Sequence, residues 1–140
     1  MYSLPIFLSS SFITIICFFG VNSTIQKIEL IFSRKLVSLD GYSKAIIVIN
    51  DGFPGPTITA VQGDTVLVNV VNKLNLFESL SVHWHGIDQR GKQWQDGAAY
   101  ITNCPLPYGS SFVSNLTLSE AGTFWYHAHS GSDEFYNITI

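Results

Sequence analysis

The four histidines of this chain fall into two pairs, His83-Trp84-His85 and His127-Ala128-His129, about forty residues apart. In an extended strand, residues i and i+2 point to the same face, ~6.6 Å apart at ~3.3 Å per residue, so each pair aims two imidazoles one way. Two such strands side by side would converge four nitrogen ligands on metal. Imidazole suits zinc, copper, iron and nickel alike, so the side chain does not choose the ion. One zinc could take three histidines and keep a position open for water, which would give a hydrolase or hydratase. The spacing also lets each histidine of a pair reach a different ion in a cluster whose metals lie ~3.5 to 4 Å apart.

Strands must carry these ligands, and the sequence supplies them. Lys44 to Ile49 is a β-branched run that ends at Asn50-Asp51-Gly52 and Phe53-Pro54-Gly55-Pro56, where fixed φ angles and missing donors exclude helix. Thr65 to Val71 alternates, with Val66, Val68 and Val70 on one face and Asn69 on the other, as a half-buried strand does. Gln62-Gly63-Asp64 supplies the turn before it. Gln26 to Phe32, Ser79 to His85, Ser111 to Leu118 and Thr123 to His129 complete the set, and Lys73 to Ser79 forms a helical turn at most. Short strands separated by Gly, Pro and Asn clusters predict a single all-β domain, a sandwich or barrel. On the histidine strands Val82, Trp84, Phe124, Tyr126 and Ala128 face the core, opposite the imidazoles and Trp125.

At 140 residues the chain is one domain at most, large enough to bury a core without staples. Residues 1–23 carry no charged side chain and include the apolar run Phe12 to Phe19. They read as a signal peptide with Val21 and Ser23 before the cut, leaving residues 24–140 as a secreted domain with no membrane partner. The positive n-region is missing, so an uncleaved anchor is the alternative, although the run is short of the ~20 apolar residues of a span. The net charge of −3 and the lack of a basic patch exclude nucleic acid as a partner. Cys17 would leave with the signal, making Cys104 the sole cysteine of the mature chain; an odd cysteine in a secreted protein finds a partner elsewhere or stays reactive. Asn115-Leu116-Thr117 and Asn137-Ile138-Thr139 are glycosylation sequons.

His83-Trp84-His85-Gly86 and Phe124-Trp125-Tyr126-His127-Ala128-His129-Ser130-Gly131 resemble the first two histidine motifs of the multicopper oxidases, the family of laccases, ascorbate oxidases and ferroxidases. Asn50 to Ile58, Gln62-Gly63-Asp64, Trp94-Gln95-Asp96-Gly97 and Asn103-Cys104-Pro105-Leu106 resemble the segments around them, so the likeness covers about residues 26 to 131. It implies a cupredoxin-type (plastocyanin-like) Greek-key β-barrel, the family's first domain, giving four histidines to a trinuclear copper cluster that reduces O2 to water. By correspondence His83 would bind the type 2 copper, His85 and His127 one type 3 copper, and His129 the other. Asp96 would match an outer-shell acid that orients water and helps supply protons; the plainer reading is a turn aspartate before Gly97. Trp84 and Trp125 read as packing around the site. Cys104 matches a cysteine that bonds to the third domain in laccase-like members.

Complete members draw the remaining cluster histidines, and the Cys and His ligands of the type 1 copper, from later cupredoxin domains. Those motifs do not occur here, nor do the glycine-rich loop and last strand that close the first domain. The expectation is therefore the amino-terminal part of a laccase-like oxidase, inactive alone, whose complete form oxidises phenols, aromatic amines or metal ions. The alternative is a stand-alone module that stores or delivers copper, with Phe135 to Ile140 as a substitute closing strand; the zinc enzyme is the third reading.

Overall fold

The computed structural model describes residues 23–129 and the backbone of residues 137–139. Among the described residues all of the regular structure is β apart from one short 3-10 turn: β1 Ile25–Val37, β2 Lys44–Ile49, β3 Thr65–Lys73, β4 Val82–His85, the turn Gln93–Gln95, β5 Ser111–Thr117, β6 Trp125–Ala128 and β7 Asn137–Thr139. One sheet runs β2-β1-β3-β5, with β1 and β3 parallel and the outer pairs antiparallel; the second runs β4-β6-β7, all antiparallel. The predicted signal peptide lies outside the described residues except for Ser23, whose Oγ donates to Gly63 O at 2.7 Å. Among the described residues, no helix is long and apolar enough to cross a membrane.

The alternation read from β3 places Val66, Val68 and Val70 in the core, and the same face of β1 adds Leu30 and Phe32. Val82, Trp84, Tyr126 and Ala128 come from the second sheet, so the core lies between the two sheets and fastens the histidine strands to a rigid floor. Sixteen hydrophobic side chains are buried among the described residues, and at ~25 cal/mol per Å2 such burial supplies most of the drive to fold. Asn72 continues the buried face of β3 as the one polar side chain on it. Its Nδ2 donates to Glu78 O and Leu106 O, each at 2.9 Å, and its Oδ1 accepts from Leu74 N at 2.9 Å. One side chain thus closes the loop that leads into β4.

Asp64, in the predicted turn, is also buried. Its carboxylate accepts from Thr24 N at 2.9 Å, Val61 N at 3.1 Å and Gln26 Nε2 at 3.3 Å. These donors, the Thr24 amide first, hold the acid down at about 2. Several expectations differ in extent, among them Thr123 to His129, where the regular strand is Trp125–Ala128. β1 reaches Val37 because β2 pairs with it from Phe32 onward. The strand expected from Ser79 begins at Val82, because Leu80 bridges to Leu106 and only from Val82 does pairing with β6 begin.

Candidate metal centre

β4 and β6 pair antiparallel with His83 opposite His127, Trp84 opposite Tyr126 and His85 opposite Trp125. Trp84 and Tyr126 sink into the core, so period two lifts the imidazoles to the other face. His83 lies at the middle of the group: its ring centroid is 5.3 Å from His85, 5.4 Å from His127 and 5.9 Å from His129. One nitrogen from each of His83, His85 and His127 falls within a common 4.8 Å. His129 stands outside that trio, 5.6 Å from His127 between centroids, and its backbone N–H donates to Ser81 O at 2.8 Å, which carries the pairing of the two strands past the end of β6.

Hydrogen bonds select the free nitrogen on two rings. A carbonyl can only accept, so the 2.6 Å contact of His83 Nδ1 with Asp96 O puts the proton on Nδ1 and leaves the Nε2 lone pair for a metal. The Asp96 carboxylate stands 3.6 Å from the same nitrogen. His127 Nδ1 likewise donates to Ala128 O at 3.1 Å, while its Nε2 is buried with no hydrogen-bond partner. A buried polar atom left alone is costly and uncommon; a coordinated ion would satisfy it. Burial holds the His127 pKa below the usual histidine range, and the neighbouring His83, His129 and His85 push the same way against the Ala128 hydrogen bond. His127 therefore keeps the neutral form that ligates metals.

The loop that delivers Asp96 is fixed by backbone. Asp96 N–H donates to Gln93 O at 3.1 Å, closing the turn, and Gly97 follows with φ +89°. A Cβ at Gly97 would sit 1.9 Å from Val82 O and 2.7 Å from His83 Cα, so only glycine lets the loop lie against β4. Ser81 Oγ donates to Gly97 O at 2.7 Å. Under the site, Trp84 Nε1 donates to Ser114 Oγ at 3.2 Å and Tyr126 Oη to Pro56 O at 2.9 Å, tying β4 to β5 and β6 to the proline loop. Burial raises the Tyr126 phenol well above its ordinary value, so it stays a donor.

Two histidine strands of this phase, with four imidazoles on one face, can be set beside known proteins. The sequence profile described as Multicopper oxidase matches residues 32–138. The chain belongs to the multicopper oxidases. Laccase-4 of Trametes villosa is 44% identical over 105 residues, covering 72% of this chain and 20% of that protein. The laccase of Botrytis aclada superposes with a TM-score of 0.78 at 28% identity, over 84% of this chain and 22% of the other. Fet3p, a multicopper oxidase that functions in iron import, superposes at 0.75 with 30% identity, over 82% and 22%. The chain spans about a fifth of the length of the curated relatives it matches. Its two packed all-β sheets are the cupredoxin-like domain of this multicopper oxidase family.

The remaining predicted positions are dispersed. Cys104 is exposed and unpaired, and lines a cavity of about 260 Å3 with Leu80, Val82, Trp94, Leu106 and Phe112. Asn115 is half-buried within β5; its Oδ1 accepts from Lys92 Nζ at 2.9 Å. Asn137 lies in β7, opposite His127 in the backbone register. Trp125 holds more of the site than the sequence reading gave it: its indole stacks on His85 at 4.5 Å and on His127 at 4.3 Å between centroids. Its i−2 spacing from His127 was the available signal.

Proposed function

We propose that this chain furnishes half of the histidine ligands of a trinuclear copper cluster in a laccase-like oxidase. The observation that carries the reading is the convergence of His83, His85 and His127 nitrogens within 4.8 Å, with His127 Nε2 buried and unpartnered. Nitrogens this close can serve one ion or two adjacent ions; the multicopper oxidase family of the chain favours the cluster. In this assignment His83 holds the type 2 copper through Nε2, His85 and His127 share one type 3 copper, and His129 reaches the other. When bound, copper supplies the one-electron steps that join oxidation of a donor to reduction of O2 to water.

The chain's own residues fix where that happens. Asp96 orients His83 through its carbonyl, and its carboxylate, 3.6 Å from Nδ1, is placed to hold a proton or water beside the site. The complete protein would take phenols, aromatic amines or metal ions as reducing substrate, with O2 as acceptor and further cupredoxin domains as partners. Secretion, a cleaved segment 1–23, a Cys104 disulfide to a later domain and glycans on Asn115 and Asn137 belong to the same reading. Among the described residues the one cysteine, Cys104, lies outside the histidine group, and no type 1 site and no turnover are expected from this chain alone.

The pairing of β7 with β6 supports a second reading, a self-contained copper-storing or copper-delivering module whose last residues serve as a closing strand. Loading the full chain with copper and recording stoichiometry, visible absorption and O2 uptake with a phenol tests both. Bound copper without an intense blue band and without turnover is expected. A blue thiolate band or sustained turnover contradicts the assignment, and tight zinc binding without preference for copper points to a zinc enzyme. Retention of copper by the isolated chain against a moderate chelator favours the module.

A further inference from the structure

Among the described residues Trp125 is the aromatic side chain, outside the histidines themselves, that stacks on two of the imidazoles. It projects from β6 on the imidazole face, two residues before His127 and directly across from His85 in the strand register. Its ring lies 26° from the plane of His85 and 18° from that of His127. The two imidazoles are themselves 6.0 Å apart, less than the two stacking distances together, so they lean on one indole without standing at opposite sides of it. His85 is exposed, and among its contacts the indole is the closest ring. An exposed imidazole without a hydrogen bond to hold it rotates about χ2, a broad torsion. Stacking replaces that missing restraint.

We infer that Trp125 is a positioning residue: its indole sets the orientation of His85 and His127 as a pair, so that both present a nitrogen to the same metal ion. This rests on the copper reading above; among the described residues no hydrogen bond orients His85, and the indole takes that place. His83 has Asp96, and His127 has Ala128; for His85 the restraint is the ring of Trp125.

The test uses the full chain with Cu(II) as probe, competed against a chelator, and side-chain 15N and ring-proton NMR of the metal-free protein. Trp125→Phe keeps a stacking face, whereas Trp125→Ile keeps β propensity without one. We expect the isoleucine variant to bind Cu(II) at least tenfold more weakly and the phenylalanine variant within about threefold of the parent, with the His85 ring protons losing their upfield ring-current shift only in the former. In a His85→Ala background, Trp125→Ile should cost less than about threefold. Equal affinity of the parent and the isoleucine variant overturns the inference, as does an undiminished loss in the His85→Ala background. If the isoleucine variant does not fold, an unshifted His85 ring in the folded parent overturns it as well. A parent chain that binds no Cu(II) would instead remove the copper reading, and the ring-proton shifts would still report whether Trp125 orients His85.

Discussion

Gly97→Ala is the perturbation that most sharply joins backbone to metal site. The new Cβ would meet Val82 O at 1.9 Å, Val82 C at 2.4 Å and His83 Cα at 2.7 Å, all backbone atoms of β4. Ordinary contact needs roughly 3.2 Å or more, so the loop and the strand must separate by about 1 Å. Forced overpacking costs about 1–3 kcal/mol, and an alanine at φ +89° adds about 1–2 kcal/mol. The sum predicts a loss of roughly 2–5 kcal/mol. The same separation pulls Asp96 O from His83 Nδ1, now 2.6 Å apart, and loss of such an orienting partner typically costs about 10–100-fold in metal affinity. Gly91→Ala is the matched control: its φ is +71° and a Cβ there meets nothing within 4 Å, so only the conformational cost of about 1–2 kcal/mol should appear. Urea unfolding followed by near-UV circular dichroism gives the first quantity and chelator competition with Cu(II) the second. If Gly97→Ala matches Gly91→Ala in both, the claim that the Gly97 contact positions Asp96 is wrong.

Asn72→Ala removes three hydrogen bonds of a fully buried side chain and leaves Glu78 O and Leu74 N without them, while Leu106 O keeps its bond from Leu80 N; a destabilisation of about 1–3 kcal/mol is expected in urea unfolding, and a change under about 0.5 kcal/mol would show that the loop does not depend on it. Asp64 is depressed to about 2 in the fold from its ordinary value near 3.8, so its contribution is complete above about pH 4 and disappears as pH falls through 2. Asp64→Asn should therefore flatten the acid limb of a thermal-melt pH profile between those values. Copper release should run the same direction for a different reason. Imidazole binds only when neutral, with an unperturbed pKa of about 6.5, so copper should leave as pH falls through roughly 6 to 4. Burial lowers the pKa of His127, which favours its neutral, ligating form, and copper kept at pH 3 would mean that other groups hold it.

The architecture was legible wherever burial alternates with period two. Val66, Val68 and Val70, Trp84 against His83 and His85, and Tyr126 against His127 all lie on the faces their spacing predicted. The parallel pairing of β1 with β3 was not legible, because sheet order depends on contacts between segments about forty residues apart. Within the site, the histidine pairs could be read directly, since two residues of spacing suffice to place two side chains on one face. Three features could not. The close approach of Gly97 to β4 depends on how the loop packs against the strand, which local spacing does not report. Asp96 acts on His83 first through its carbonyl, an atom every residue owns. Trp125 was read as packing, but it packs against ligands rather than against the core.

X-ray absorption at the copper edge of the copper-loaded full chain tests the central claim most directly, because it reports the atoms around the metal without requiring turnover. The account predicts a shell of nitrogen and oxygen only, with the outer-shell scattering of several imidazoles, and loss of that imidazole signature in a His83→Ala, His127→Ala double variant. A copper–sulfur distance, or an imidazole signature that survives the double variant, would contradict it.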